Sequence, residues 1–525
     1  MVVLKVSSFE AGAIRRMFAG RGGSWNNQRM SLSLIRRLKA SPESPAVDDQ
    51  VGAWTYGELL ERSSRIAGSL LEGQASLAGA RVGLLVEPGR PWVAGLLGIW
   101  RAGGFAVPIA LAHPEREIDY VLEDSEAAAA LVSSQLEARL GEPARRRGVR
   151  VIGLDAALES ESNRAEALPT IEESSPALLI YTSGTTGRPK GVVLSHANLR
   201  AQVESLAQAW GWSSQDRILE VLPLHHVHGI VNVVLSSLWS GASCRLFPRF
   251  DAEETWLAFE EQEPTLFMAV PTIYRRLIDA WEAADPIRRE AWSEAARRLR
   301  LMVSGSAALP VPVLERWREI TGHVLLERYG MSEIGMALSN PLDGERLPGT
   351  VGRPLPGVDL RLVDAAGEPI GEGASGEVEV RGAAVFDGYW RRPEATREAF
   401  RDGWFRTGDV AVREEGVYRL LGRSSVDILK TGGEKVSALE IEAVLREHPA
   451  IAECAVIGLA DEQWGQRVAA AVELREGGTL DLESLRDWCK KRLAIYKVPS
   501  RLIVVEALPR NALGKVQKPR LADAF

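Results

Sequence analysis

The sequence predicts an α/β protein, with a large N-terminal unit of layered α/β sheets that carries a small β-region, followed by a small α+β unit. Three observations lead there. From about residue 45 to 420, apolar strand-like runs alternate with helix-like stretches, the pattern of mostly parallel sheets covered by helices. Between Gly352 and Arg381, short β-type segments are separated by Gly, Pro and Asp, as in a small antiparallel sheet. Near Gly422–Gly433 the pattern changes, and the roughly 100 residues beyond are enough for a separate small core. The length of 525 residues suits one large composite unit plus a small one at roughly 100–200 residues per domain.

Taken in order, residues 1–30 form an N-terminal extension, 31–422 the large unit and 423–525 the small one. In the large unit, the run Arg81–Val86 (RVGLLV) reads as a strand, Pro91–Arg101 as a helix and Phe105–Ile109 (FAVPI) as a strand. Residues 252–300 are rich in Ala, Glu, Arg and Trp at helical spacing, while Leu360–Val363 and Glu377–Val380 read as strands. The small unit reads as helix Ser437–Glu447, strands Ala455–Gly458 and Val468–Leu474, helix Leu482–Arg492 and strand Leu502–Val505.

Apolar residues make up 46% and charged residues 25%, which excludes disordered and fibrous classes for the whole chain. The net charge of −7 provides no global basic field for gripping nucleic acid. Only ten of the 63 basic residues are lysine, which points to a GC-rich genome. The tightest apolar run, Pro91 to Trp100, is ten residues long, and a bilayer needs about 20. Three scattered cysteines, Cys244, Cys454 and Cys489, form no disulfide framework or CxxC metal site and suit a reducing compartment. The first 40 residues carry eight basic side chains against the single acid Glu10. That composition is compatible with a transit peptide to the mitochondrial matrix. The plainer reading is an unstructured extension of a cytoplasmic protein, with Met30 opening the folded part.

The strongest local signal is Leu178–Val193 (LLIYTSGTTGRPKGVV). Two apolar strands flank a loop of hydroxyls, glycines and one lysine. Glycines let the backbone approach an anion closely, and successive N–H groups make an anion-binding nest. Thr182, Ser183, Thr185 and Thr186 add donors, Gly184 and Gly187 the freedom, and Lys190 a charge. The loop matches neither GxxxxGK[ST] nor GxGxxG, and its bland alternative is a hydroxyl-rich hairpin turn.

The full string Tyr181–Gly191 (YTSGTTGRPKG) resembles the signature of the AMP-forming acyl-CoA synthetases, the adenylate-forming superfamily. Other segments resemble that family's motifs in the family's order over about residues 45–520: Trp54–Leu59 (WTYGEL), Arg101–Pro108 (RAGGFAVP), Tyr329–Glu333 (YGMSE), Gly403–Asp409 (GWFRTGD), Gly422-Arg423 and Pro509–Lys515 (PRNALGK). The resemblance implies a two-step ligase. A carboxylate attacks the α-phosphorus of ATP to give an acyl-adenylate and pyrophosphate, and the thiol of coenzyme A then displaces AMP. It also implies that the C-terminal unit is a mobile lid.

Site roles follow from the same resemblance. Thr182, Ser183, Gly184, Thr185, Thr186, Gly187 and Lys190 would hold phosphates. Gly305, Ser306, Ala307, Tyr329 and Gly330 would meet adenine. Ser332 would donate to phosphate, and Asp409 and Arg423 would take the ribose. Glu333 would ligate Mg²⁺. Lys515 would bridge the carboxylate and the α-phosphate, and Gly432 and Gly433 would line the thiol tunnel with His226. The hinge would lie within Ser424–Asp427, although Ser425 stands where the family usually has Asp or Lys. Taken singly, Glu333 would be a surface carboxylate, Asp409 a turn residue, Tyr329 a core ring and Lys515 a solvated tail group. Membership in one ordered motif set gives them a common role.

Within the family, His225–Gly229, Val270–Leu277 (VPTIYRRL), Leu301–Leu309 and Glu327–Met336 together resemble malonyl-CoA synthetases. That resemblance implies a substrate with a second carboxylate, malonate first and methylmalonate second. Arg276 would receive this carboxylate bidentately, in a pocket shared with His226 and Met331. The rivals are a medium-chain or aryl acyl-CoA ligase, a non-catalytic nucleotide-binding protein of the same fold, and a Walker-type kinase. The oligomeric state is open.

A unit charge about 4 Å from the α-phosphate at an effective dielectric of 20 contributes roughly 4 kcal/mol, or about three decades in rate. Lys515→Ala is therefore expected to lose adenylation by about that factor while still forming thioester from supplied acyl-adenylate. Parallel loss of both half-reactions contradicts the role.

Overall fold

The computed structural model describes residues 32–160, 168–182, 189–431, 434–461, 464–510 and 516–525. The extension 1–30, loop residues Ser183, Gly184, Thr185, Thr186 and Gly187, tunnel residues Gly432 and Gly433, and Lys515 all lie outside them.

The described residues form four sheets. The first has a parallel centre of strands Leu326–Met331, Leu301–Ser304, Leu266–Ala269, Arg217–Glu220, Ser243–Leu246 and Pro45–Asp48, with antiparallel strands at both edges. The second is parallel through Pro176–Thr182, Phe105–Pro108, Arg81–Leu85, Ala129–Val132 and Arg150–Gly153. Strand Lys190–Ser195 then returns antiparallel to Pro176–Thr182. Near-continuous apolar runs such as Ala129–Val132 are buried throughout, as strands covered on both faces must be.

One hydrophobic core spans both sheets. The run that is too short to cross a bilayer is helix Arg90–Arg101, whose residues Trp92–Trp100 are all buried. It crosses helix Tyr56–Leu71 at Gly98, where a Cβ would come within 2.6 Å of Ile66. The second helix begins in the early WTYGEL motif. Glu58 N–H donates to the Thr55 hydroxyl at 3.2 Å, and Thr55 N–H donates to the Glu58 carboxylate at 2.7 Å. This reciprocal capping box satisfies two otherwise orphan donors, so here the motif is helix-starting chemistry.

The expected small β-region is antiparallel: Val358–Val363, Ser375–Gly382, Trp404–Glu414 and Phe400–Arg401, with Val417–Arg423 also paired to Trp404–Glu414. The C-terminal residues build the fourth sheet around strand Gly465–Leu474. Its neighbour Ile451–Asp461 runs eleven residues, well beyond the expected Ala455–Gly458, because its pairing with Gly465–Leu474 continues past both ends. Helices Ala438–Arg446 and Leu482–Lys490 pack into a separate core. Among the described residues, no helix is long and apolar enough to cross a membrane.

Gly98→Ala forces overpacking at the helix crossing and is expected to lower unfolding stability by about 1–3 kcal/mol. An unchanged denaturation midpoint contradicts this account of the crossing.

Candidate active site

Two sheets meet at one buried carboxylate. Strand Leu326–Met331 brings Tyr329 from the first sheet, while the hairpin of the small β-region sets Asp409 directly opposite Arg423. The Tyr329 hydroxyl donates to Asp409 Oδ2 at 2.6 Å, and Arg423 Nε meets Oδ1 at 3.1 Å. Asp409 and Tyr329 are 8% and 7% exposed, so these two donors supply most of what water would give the charge. Burial, together with the neighbouring Asp409 charge, pushes the Tyr329 phenol far above its usual range, which keeps it a hydrogen donor. Asp409 N–H is itself held by the Thr407 hydroxyl at 3.1 Å.

Beyond Tyr329 the strand ends with Gly330 and Met331, and the turn after it carries Ser332, all three half-buried, and then Glu333, which is buried. Tyr389 donates its hydroxyl to Glu333 Oε1 at 3.0 Å. Burial raises the Glu333 carboxyl above the ordinary range, while the Tyr389 hydrogen bond and the Arg423 charge pull the other way. Tyr389 lies on the short strand Gly388–Tyr389, paired with strand Lys190–Ser195. The Lys190 ammonium lies 5.1 Å from the centre of the Tyr389 ring. Thr182 and Lys190 are register partners at the end of the glycine-rich hairpin, and the Thr182 hydroxyl donates to the Lys190 carbonyl at 3.5 Å. The base of the expected phosphate loop therefore reaches Glu333 through Lys190 and Tyr389.

A second polar group forms where strand Leu301–Ser304 ends. Gly305 lies so close to Arg328 that a Cβ would fall 2.5 Å from its Nε. Ser306 adopts a left-handed φ of 70°, uncommon for a residue other than glycine. Its hydroxyl lies 3.3 Å from His228 Nδ1 and accepts from Arg328 Nη2 at 3.3 Å; Ser306 and Ala307 are exposed. Arg328 is 3% exposed, and its Nε has no hydrogen-bond partner among the described residues. Burial draws its guanidinium down to about 9. His226 is half-buried, its ring 4.0 Å from that of His225. Burial lowers His226 to about 4 and His225 to about 2, so both imidazoles are neutral near pH 7.

Arg276, the expected receiver of a second carboxylate, sits on the helix that follows strand Leu266–Ala269. Helix Pro271–Ala283 buries Ile273, Tyr274, Leu277 and Ile278. The helical period therefore turns Arg275 and Arg276 outward. Both are exposed, and the Arg276 guanidinium stacks 4.7 Å from the Phe250 ring centre.

Sequence reasoning missed two residues. Arg328 carried a readable signal, a charge pair with Glu327 inside an apolar strand, which a fold buries only for a reason. Tyr389 carried none, because its partner Glu333 is 56 residues away.

This geometry is that of an adenylate-forming enzyme, and the chain belongs to the AMP-binding enzyme family. Residues 34–390 match the AMP-binding enzyme domain and residues 440–515 the AMP-binding enzyme C-terminal domain. The chain is 45% identical to the mitochondrial malonate–CoA ligase ACSF3 of Mus musculus, over 94% of this chain and 90% of that one. It is 42% identical to the malonate–CoA ligase of Arabidopsis thaliana, over 99% and 92%. The ATP-bound crystal structure of MatB from Rhodopseudomonas palustris matches with a TM-score of 0.86 at 34% identity, over 94% of this chain and 99% of that one.

The Tyr389 hydrogen bond favours the ionised form of Glu333. Tyr389→Phe is therefore expected to raise the Glu333 pKa and move the acid limb of the adenylation pH profile to higher pH. A limb that stays in place contradicts the pairing.

Proposed function

We propose that this chain joins malonate to coenzyme A through a malonyl-adenylate, with release of AMP and pyrophosphate. The observation that carries this reading is Arg328, a buried guanidinium with no carboxylate partner among the described residues. An unpaired buried charge is costly, and a ligand with two carboxylates relieves that cost. One carboxylate reacts while the other meets Arg328. A monoacid would leave the cation unmatched, which such a site penalises strongly, whereas the extra methyl of methylmalonate costs only about 1–3 kcal/mol. Arg276, on the solvent face over Phe250, is the second candidate for this contact. The names of the relatives support the same substrate.

In the first step a carboxylate oxygen attacks the α-phosphorus, the bond to the β-phosphate bridge breaks, and pyrophosphate leaves. In the second the coenzyme A thiol attacks the acyl carbon, and AMP leaves with the bonding electrons. Thr182, Ser183, Gly184, Thr185, Thr186, Gly187 and Lys190 hold the phosphates, with Ser332 as a further donor. Gly305, Ser306, Ala307, Gly330 and the ring of Tyr329 frame adenine, and Asp409 accepts from the ribose hydroxyls beside Arg423. A single buried carboxylate steadied by Tyr389 suits Mg²⁺, which takes few protein ligands and keeps phosphate oxygens and water. Glu333 would hold the ion, whose charge would offset that of the triphosphate. His226, neutral near pH 7, borders the acyl pocket with Met331 and the thiol tunnel with Gly432 and Gly433. Lys515 bridges the acyl oxygen and the α-phosphate.

The division falls at 422/423, with 423–525 a lid that pivots within Ser424–Asp427. There Asp427 N–H donates to the Arg423 carbonyl at 2.7 Å to form a turn. Residues 1–30 are an import segment for the mitochondrial matrix, a reading supported by their basic side chains and by the word mitochondrial in the relative's name.

In a panel of malonate, methylmalonate, acetate and octanoate, pyrophosphate release is expected to rank malonate first and methylmalonate second. Arg328→Met is expected to lower kcat/KM for malonate by about two decades, the cost of losing a buried charged contact, with little change for acetate. A strong preference for monoacids sinks the substrate assignment. An unaffected Arg328→Met beside a dead Arg276→Met moves the contact to Arg276.

A further inference from the structure

A small polar cavity adjoins Ser332. Its wall combines helix His196–Ala209, residues 227–232 and the stretch 332–335. Asn198, Gln202, Asn232 and Ser332 supply polar side chains, and Leu199 and Val231 are among the apolar ones. The cavity offers about 10 Å³ to the centre of a water-sized sphere, close to the least that holds one water molecule.

The polar wall is only partly satisfied. Asn198 is engaged at both ends: its Oδ1 accepts from Ser195 N–H at 2.9 Å, and its Nδ2 donates to the Ala383 and Val385 carbonyls at 2.9 Å each. Gln202 is 3% exposed, and its Oε1 accepts the Met336 N–H at 2.7 Å. That bond assigns the amide's orientation, and Nε2 has no hydrogen-bond partner among the described residues. Asn232 is 1% exposed, and neither its Oδ1 nor its Nδ2 has a partner there. A buried amide left unbonded costs more than an ordinary hydrogen bond gains. Asn232 stands on the segment His228–Leu235, whose wide π-type turns are rare and frequent at functional sites.

The cavity wall is also closely set. Gln202 holds the backbone just past Ser332 through Met336, and a Cβ on Gly335 would fall 1.8 Å from Gln202 Oε1. The donor set selects the occupant. Gln202 presents a donor, Asn232 one donor and one acceptor whichever way its amide is turned, and Ser332 either. A cation would face the Gln202 donor, and an anion would waste the Asn232 acceptor. Water has two protons and two lone pairs and meets all three.

We propose that one water molecule occupies this cavity, accepting from Gln202 Nε2, bonded to the Asn232 amide and donating to the Ser332 hydroxyl oxygen. The Ser332 proton is then turned toward the nucleotide, and Asn232 and Gln202 act as positioning residues. This rests on the reading of Ser332 as a phosphate donor.

The test uses the full-length enzyme and its variants Asn232→Leu, Asn232→Ser, Ser332→Ala and the double variant Asn232→Leu/Ser332→Ala. A crystal structure of the unsubstituted enzyme with ATP shows what the cavity holds. Pyrophosphate exchange gives kcat/KM for ATP. Thioester formation from supplied malonyl-adenylate, which carries no β- or γ-phosphate, is the control. The structure is expected to show a water within hydrogen-bond distance of Gln202 Nε2, the Asn232 amide and the Ser332 hydroxyl. Asn232→Leu is expected to lower kcat/KM for ATP about tenfold and to leave thioester formation within about twofold, the scale of one hydrogen bond. Asn232→Ser, which keeps a hydroxyl and makes room for a second water, is expected to restore most of the loss. Ser332→Ala is expected to match Asn232→Leu, and the double variant to lose no more than Ser332→Ala alone, because both remove one contact. A dry cavity or a metal ion in it overturns the proposal. So do an unaffected Asn232→Leu beside an impaired Ser332→Ala, equal loss of both half-reactions, and losses that add in the double variant. If Ser332→Ala itself leaves adenylation unchanged, the reading of Ser332 fails. The crystal structure alone then decides: water at the three groups upholds the site and its absence overturns it.

Discussion

The site depends on one buried carboxylate with two donors from different sheets. Asp409 takes the Tyr329 hydroxyl from the large parallel sheet and the Arg423 guanidinium from its own hairpin. Remove either donor and a desolvated charge is left short of partners, which costs more than an ordinary hydrogen bond gains. The same contact ties strand Leu326–Met331 to strand Val417–Arg423. The carboxylate is already oriented and largely stripped of water, the state in which an acceptor needs little rearrangement to meet a polar ligand.

Around that knot, polar groups are arranged by what each must do. Glu333 is buried, with the neutral Tyr389 hydroxyl rather than a cation at its carboxylate. Arg328 is buried against a serine hydroxyl, with no carboxylate partner among the described residues. Lys190 lies against the ring of Tyr389, close to the carboxylate yet without an ion pair in the described residues that would quench it. These are local violations of the rule that buried charges pair. They lie on strand Leu326–Met331, in the turn after it and on strand Lys190–Ser195, whereas in the C-terminal unit Arg446, Lys518 and Arg510 all meet carboxylates.

Much of this was legible in the sequence, because alternation of apolar strands and helices is a local property. The parallel layers, the small antiparallel region and the separate C-terminal fold all follow from period and punctuation. The ordered motifs marked Tyr329, Glu333, Asp409 and Arg423 before any geometry was known. What could not be read depends on sheet order. Tyr389 reaches Glu333 only because its two-residue strand is added beside Lys190–Ser195. Arg276 was legible from its motif spacing alone, whereas its place over the Phe250 ring depends on the fold. Arg328 was visible as a charge in an apolar strand yet passed over, since the strand's two flanks become distinguishable only once the strand is placed.

The central claim is that a carboxylate oxygen attacks the α-phosphorus of ATP in this cleft. Its most direct test is turnover with malonate labelled with ¹⁸O in both carboxylates, followed by mass spectrometry of the nucleotide product. The account requires AMP carrying one labelled oxygen and pyrophosphate carrying none; unlabelled AMP, or ADP with the label in inorganic phosphate, would contradict it.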